Sequence, residues 1–158
     1  MAQHKTNAMR ILDSENINYN ILTYDNKDGK IDGISVAEKV GRDVKQVYKT
    51  LVAQGDSKEI FVFVIPVSKE LDLKKAAKII GEKKVEMIHV KDINKYTGYI
   101  RGGCSPIGMK KKYSTYIDKT AEKLNTIMVS GGKIGTQIEI SAMDLVKVVK
   151  GKLENLTK

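Results

Sequence analysis

The sequence predicts a single α+β domain, a mixed sheet with helices set against it, and three observations carry that reading. The chain has 158 residues, 41% hydrophobic and 30% charged. That is one domain's worth of soluble globular sequence, able to bury roughly two thirds of its unfolded surface. Helical and extended signals interleave along it, with no internal repeat at a fixed period. Several extended runs also follow one another directly, which favours a mixed sheet with flanking helices over a doubly wound α/β arrangement.

The elements follow in order. Residues 6–16 form a first helix, on a stripe of Ala8, Met9, Ile11 and Leu12. Residues 17–25 alternate as a strand with Ile17, Tyr19, Ile21 and Thr23 on one face, and 26–33 form a polar loop. Ser35 with Glu38 reads as a capping box for a short helix that Gly41 stops, and Asp43 opens another turn. Residues 48–54 and 59–67 are strands joined by Gly55-Asp56 as a hairpin. Asp72 caps a helix over 72–80, closed by Gly81, with Leu73, Ala76, Ala77 and Ile80 turned inward. Residues 85–90 are extended and 91–97 helical, and the loop 101–108 carries three glycines. Strands over 113–118, 126–129 and 136–140 follow, with a helical turn at 119–124 and a second glycine loop at 130–135. Ser141 opens a last helix that runs to Val149.

Composition narrows the function classes. A single cysteine, Cys104, excludes an internal disulfide and fits a reducing, cytoplasmic setting. With two histidines, His4 and His89, it cannot make a Cys/His zinc cluster. No apolar run approaches the ~20 residues of a membrane-spanning helix, and the first ten residues lack the apolar core of a signal peptide. The net charge of +9 suits a polyanion such as nucleic acid, or serves solubility alone.

Three constellations could carry chemistry. Lys49 shares a strand face with Leu51 and Ala53, so its ammonium either snorkels to solvent or lines a cavity. The loop from Gly102 to Gly108 offers free amides for an anion or a carbonyl oxygen, with Pro106 stiffening it. Cys104 within that loop has no histidine near it in sequence to act as its base. The loop around Ser130 ends in a strand, so it is neither a P-loop nor a dinucleotide fingerprint. There is no Gly-x-Ser-x-Gly elbow and no His-Glu-x-x-His. A hydrolase built from this sequence would lack a dedicated nucleophile.

Taken together, Thr23-Tyr24-Asp25, Gln46 to Leu51, Leu71 to Lys75, Gly81 to Met87, Thr97-Gly98-Tyr99, Gly102 to Gly108 and Val129 to Lys133 resemble the YbaK/EbsC family. These are bacterial deacylases of Cys-tRNA(Pro), related to the editing domain inserted in bacterial prolyl-tRNA synthetases. The resemblance spans residues 6–150, and the lysine strand combined with Gly102-x-x-x-Pro106 is its most specific part. It implies a single editing domain over residues 1–158, with a largely antiparallel, barrel-like sheet and flanking helices. It also implies an aminoacyl-tRNA deacylase that needs no cofactor or metal. Its partners would be Cys-tRNA(Pro), other tRNA acceptor ends and prolyl-tRNA synthetase, with no membrane.

The mechanism that the resemblance implies uses the substrate's own thiol. Its sulfur attacks the ester carbonyl, giving a cyclic thiolactone and free tRNA, so the protein need only orient the aminoacyl end and stabilise the developing oxyanion. Carried over by position, Lys49 is the key lysine near the terminal adenosine and its phosphate. Tyr24, Thr50 and Ser130 are pocket residues, and Gly102, Gly103 and Pro106 form the loop that presents backbone groups to the aminoacyl moiety. Cys104 occupies a variable position, and Gln137 stands where some members carry aspartate. Two rivals remain open: an alanine-specific editing relative, which typically has asparagine where Thr50 stands, and a non-catalytic module that binds tRNA or the synthetase.

Overall fold

Short side chains set the helix ends. Thr6 accepts from the Met9 amide and starts α1 (Asn7–Ser14). Asp32, not Ser35, caps α2 (Gly33–Val40). Its carboxylate accepts from the Ser35 amide and hydroxyl, which lowers its pKa, so the predicted box is shifted by three residues. Asp72 caps α3 (Leu73–Ile80) and Ser141 caps α5 (Ala142–Val149), both as the sequence predicts. Gly41 and Gly81 end α2 and α3 in the left-handed conformation. Between α3 and α5 lies α4 (Ile93–Thr97). The computed structural model describes residues 5–158; residues 1–4, and His4 with them, lie outside the described residues.

Among the described residues, eight strands form two sheets. In the first, β1 (Tyr19–Thr23), β7 (Thr136–Ser141) and β6 (Thr126–Ser130) run antiparallel with β7 central. The second has the order β4-β2-β3-β5-β8, from β4 (Val85–Met87), β2 (Tyr48–Gly55), β3 (Ile60–Pro66), β5 (Ser114–Asp118) and β8 (Lys152–Glu154). Its β4, β2 and β3 are antiparallel, whereas β5 lies parallel to β3 and β8 parallel to β5. The expected α+β mixed sheet with flanking helices is therefore present. The two sheets meet where Val47 forms a single parallel bridge to Met128.

Both sheets face one core. Leu12 of α1, Val64 and Ile117 of the second sheet, Val129 and Ile138 of the first, and Leu145 of α5 are fully buried in it. Burying each such side chain contributes about 1.5–3 kcal/mol. The other face of the second sheet carries Ala53, Phe63 and Ile65 under α3. No helix among the described residues is long and apolar enough to cross a membrane.

Three local readings change in the fold. In β1, Tyr19 packs on the main core, but Leu22 packs on the opposite side against Val47, Val67 and Met128 while Ile21 is 39% exposed. Both faces of this strand meet apolar neighbours, so simple alternation misjudges it. The extended run predicted at 85–90 is a strand only over Val85–Met87 and turns into a 3-10 segment at Val90–Asp92. The strand β8 was not predicted, because three residues carry no periodicity. Its end is held by distant groups: the buried Asp118 carboxylate accepts from the Leu156 amide and from the Thr120 amide and hydroxyl.

Candidate active site

β4 pairs with β2 only from Ala53 to Gly55, so the first half of β2 has no neighbouring strand on that side beyond the Val47–Met128 bridge. A pocket of about 120 Å³ opens there. Lys49 and Thr50 enter it from β2, Ser130 from the end of β6, Gln137 from β7, Tyr24 from just beyond β1 and Gly102 from the glycine loop. Segments from across the whole chain thus meet at one place. Lys49 faces Ile65 across the ladder and is half-buried, and among the described residues it is the only charged one lining the pocket.

The two glycine loops interlock beside the pocket. Gly102 has φ +84°, and a Cβ there would lie 2.7 Å from Ile31 Cδ1. A Cβ on Gly103 would lie 2.9 Å from backbone atoms of Lys133 and Ile134. Only glycine allows these two chain segments to approach so closely. Gly103 and Pro106 do not line the pocket; both are buried in the loop behind it, where the Ser105 hydroxyl accepts from the Ile107 amide. Of the seven predicted site residues, then, five converge on the pocket and two lie in the supporting loop.

Sequence reasoning left out several lining residues. The 26–33 loop supplies Ile31, and Gly33 follows at the start of α2. Lys39 ties that loop down: its ammonium pairs with Asp28 at 2.7 Å, donates to the Asp25 and Lys30 carbonyls, and lies 5.9 Å from the centre of the Tyr24 ring. Gly33 lies tight against Val67, where a Cβ would come within 2.2 Å of Val67 Cγ1. The glycine at 33 was the one sequence signal for such close packing.

The pocket's hydroxyls, from Thr50 and Ser130, have no histidine or carboxylate beside them in its lining, and its thiol is not free. Cys104 touches the pocket, yet its side chain packs with Val52 and Tyr99 and is 9% exposed. Burial pushes its thiol up to about 11, a rise only partly offset by its long 3.9 Å hydrogen bond to Thr97 Oγ1. Its thiolate fraction at neutral pH is therefore negligible. Cys104→Ala should accordingly leave the activity of this pocket intact with, at most, a modest loss of thermal stability. An inactive but folded variant, read by activity and circular dichroism, would assign the nucleophile to the protein.

A second cleft, about 180 Å³, lies at the other end of β2 around Gln54, Asp56, Lys84 and His89 and holds none of these residues. Among the described residues, no group of three or more His, Cys, Asp or Glu side chains is placed to hold a metal ion.

Comparison with known proteins gives the class of this fold: an aminoacyl-tRNA editing domain. Residues 33–148 match the family model of the aminoacyl-tRNA editing domain, and the chain belongs to that family, in its YbaK/EbsC branch. It is 44% identical over 155 residues to an Enterococcus faecalis protein provisionally named Cys-tRNA(Pro)/Cys-tRNA(Cys) deacylase EbsC, covering 98% of this chain and 94% of that one. A proline–tRNA ligase of Brachyspira hyodysenteriae is 26% identical over 95 residues, which is 60% of this chain and 16% of the ligase. The fold matches a crystal structure of a provisional trans-editing enzyme for prolyl tRNA synthetase with a TM-score of 0.84 at 19% identity, over 99% of both chains.

Proposed function

We propose that the chain, acting as one editing domain over its whole length, removes cysteine from mischarged Cys-tRNA(Pro), with Cys-tRNA(Cys) also within its range. The observation that carries this reading is the pocket itself. It gathers one ammonium, hydroxyls and a glycine loop, while the protein's own thiol is protonated and packed among apolar side chains. Such a site can position an ester but supplies no thiolate of its own, so it suits a substrate that brings a thiol. The name of the Enterococcus relative supports the same substrate.

In this reading Lys49 holds the acceptor end close to its terminal phosphate. Tyr24, Thr50 and Ser130 shape the aminoacyl pocket. Gly102, Gly103 and Pro106 keep the loop beside it in place. The substrate sulfur attacks the ester carbonyl carbon, the carbon–oxygen bond to the ribose breaks, and the thiol proton ends on the departing ribose oxygen. A pocket that separates cysteine from proline by size alone gains only ~1–3 kcal/mol, so a second, chemically different check has a clear use. Prolyl-tRNA synthetase is the proposed partner, supported by the likeness to part of a proline–tRNA ligase.

The direct test measures amino-acid release from Cys-tRNA(Pro) and Ala-tRNA(Pro). Selective loss of cysteine is expected; equal or faster loss of alanine would replace this reading with water-driven hydrolysis, and tight tRNA binding without any release would leave only a binding module. The net charge of +9 adds a second expectation. Affinity for tRNA should fall with rising salt, with a log–log slope of about −0.7 per phosphate neutralised on single-stranded RNA. A flat response in a filter-binding titration would place tRNA recognition on the synthetase instead.

A further inference from the structure

We propose that Gln137 recognises the free α-amino group of the aminoacyl substrate by accepting one of its N–H hydrogens on Oε1. The inference rests on the deacylase reading above. Gln137 is 6% exposed on β7, the central strand of the first sheet. Its backbone is held between Leu22 of β1 and Ser130 of β6, so the side chain springs from a rigid ladder. Among the described residues, only two side-chain polar atoms are buried without a hydrogen-bond partner: Gln137 Oε1 and Thr50 Oγ1. Both residues line the same pocket. Folded proteins rarely leave such atoms unpaired, because a buried acceptor without a donor is costly. Two such atoms on residues that line one cavity point to a polar ligand there.

The chemistry of the two atoms assigns the ligand's groups. An amide oxygen only accepts, whereas a hydroxyl can donate or accept. A cysteinyl ester offers acceptors at its carbonyl and ester oxygens, and its strong donor is the α-amino nitrogen. Gln137 Oε1 therefore suits the amine, and the Thr50 hydroxyl can turn its hydrogen toward the carbonyl. No carboxylate lines the pocket to compete for the amine. The nearest acid on the same face of β7, Glu139, is already engaged by Arg42 at 3.3 Å and by Asn20 and Thr126. Gln137 is thus left as the neutral acceptor with free capacity, and it makes the site selective for an α-amino acid ester over a thiol acid ester without the amine.

The test uses the full chain and tRNA(Pro) chemically acylated with either cysteine or 3-mercaptopropionate, which keeps thiol and ester and lacks only the amine. Each kcat/KM is divided by the uncatalysed rate of the same ester, which removes the activation that the α-ammonium gives the carbonyl. Wild type should cleave the cysteinyl ester roughly 5–30-fold faster in kcat/KM, the range expected for one unmet hydrogen bond. Gln137→Met, of similar size but without the acceptor, should bring that ratio close to one. Gln137→Glu, which keeps an acceptor at similar reach, should preserve it. Thermal melts establish that both variants are folded. A wild-type ratio near one, an unchanged ratio in Gln137→Met, or a lost ratio in Gln137→Glu overturns the assignment while leaving the deacylase reading intact. If wild type cleaves neither ester, both fall together.

Discussion

Seryl-tRNA(Pro) and alanyl-tRNA(Pro) should survive under conditions in which the protein strips cysteinyl-tRNA(Pro), with cysteine released more than roughly 100-fold faster than either. Serine has nearly the shape of cysteine, so a pocket selecting by fit alone would cleave both. Its hydroxyl is a far weaker nucleophile at neutral pH than a thiol with pKa ~8.5, of which a few per cent is ionised. Alanine has no nucleophile at all. The comparison therefore separates fit from chemistry. The protein side agrees with a substrate-borne nucleophile, because Cys104 is buried and its pKa is raised to about 11. The measurement is release of labelled amino acid from each tRNA, with the product from cysteine identified as thiolactone by trapping or mass spectrometry. Rapid release of serine would sink the mechanism even if the protein still proved to be an editing enzyme.

Lys49→Ala should lower deacylation of Cys-tRNA(Pro) by roughly 10–150-fold. A charge-assisted contact to the acceptor end is worth about 1.5–3 kcal/mol, and each 1.36 kcal/mol is a factor of ten in rate. The fold should survive, because no salt bridge in the described residues depends on the Lys49 ammonium and the residue is only half-buried. Circular dichroism and a thermal melt provide the control, and kcat/KM provides the readout. Unchanged activity in a folded variant would reduce Lys49 to a bystander at the mouth of the pocket.

Much of this architecture was readable before any coordinates. The caps at Asp72 and Ser141 and the stops at Gly41 and Gly81 act within a few residues, so local chemistry declares them. The β2–β3 hairpin follows from adjacent apolar runs. The cap of α2 is not legible in the sequence because Ser35 looks like a cap residue; in the fold, Asp32 holds its amide and its hydroxyl alike. Lys49 was ambiguous for a physical reason. A lysine in a strand reads the same in sequence whether its neighbour is solvent or a cavity, and here the decision lies with β4, which stops pairing with β2 short of that position.

What the sequence by itself determined was most of the elements, the glycine loops and, through the resemblance of its motifs, the family and five of the residues that meet at the pocket. Each of these depends on short-range chemistry or on motifs compact enough to recognise. The tertiary structure decided the rest. It turned the Cys104 side chain into an apolar cluster, brought Ile31 and Gly33 to the pocket, set Gly103 and Pro106 behind it, and left Gln137 Oε1 and Thr50 Oγ1, on two of its lining residues, without partners. Exposure, hydrogen-bond satisfaction and pKa depend on which distant segments pack around a side chain, and that information exists only once the two sheets have met.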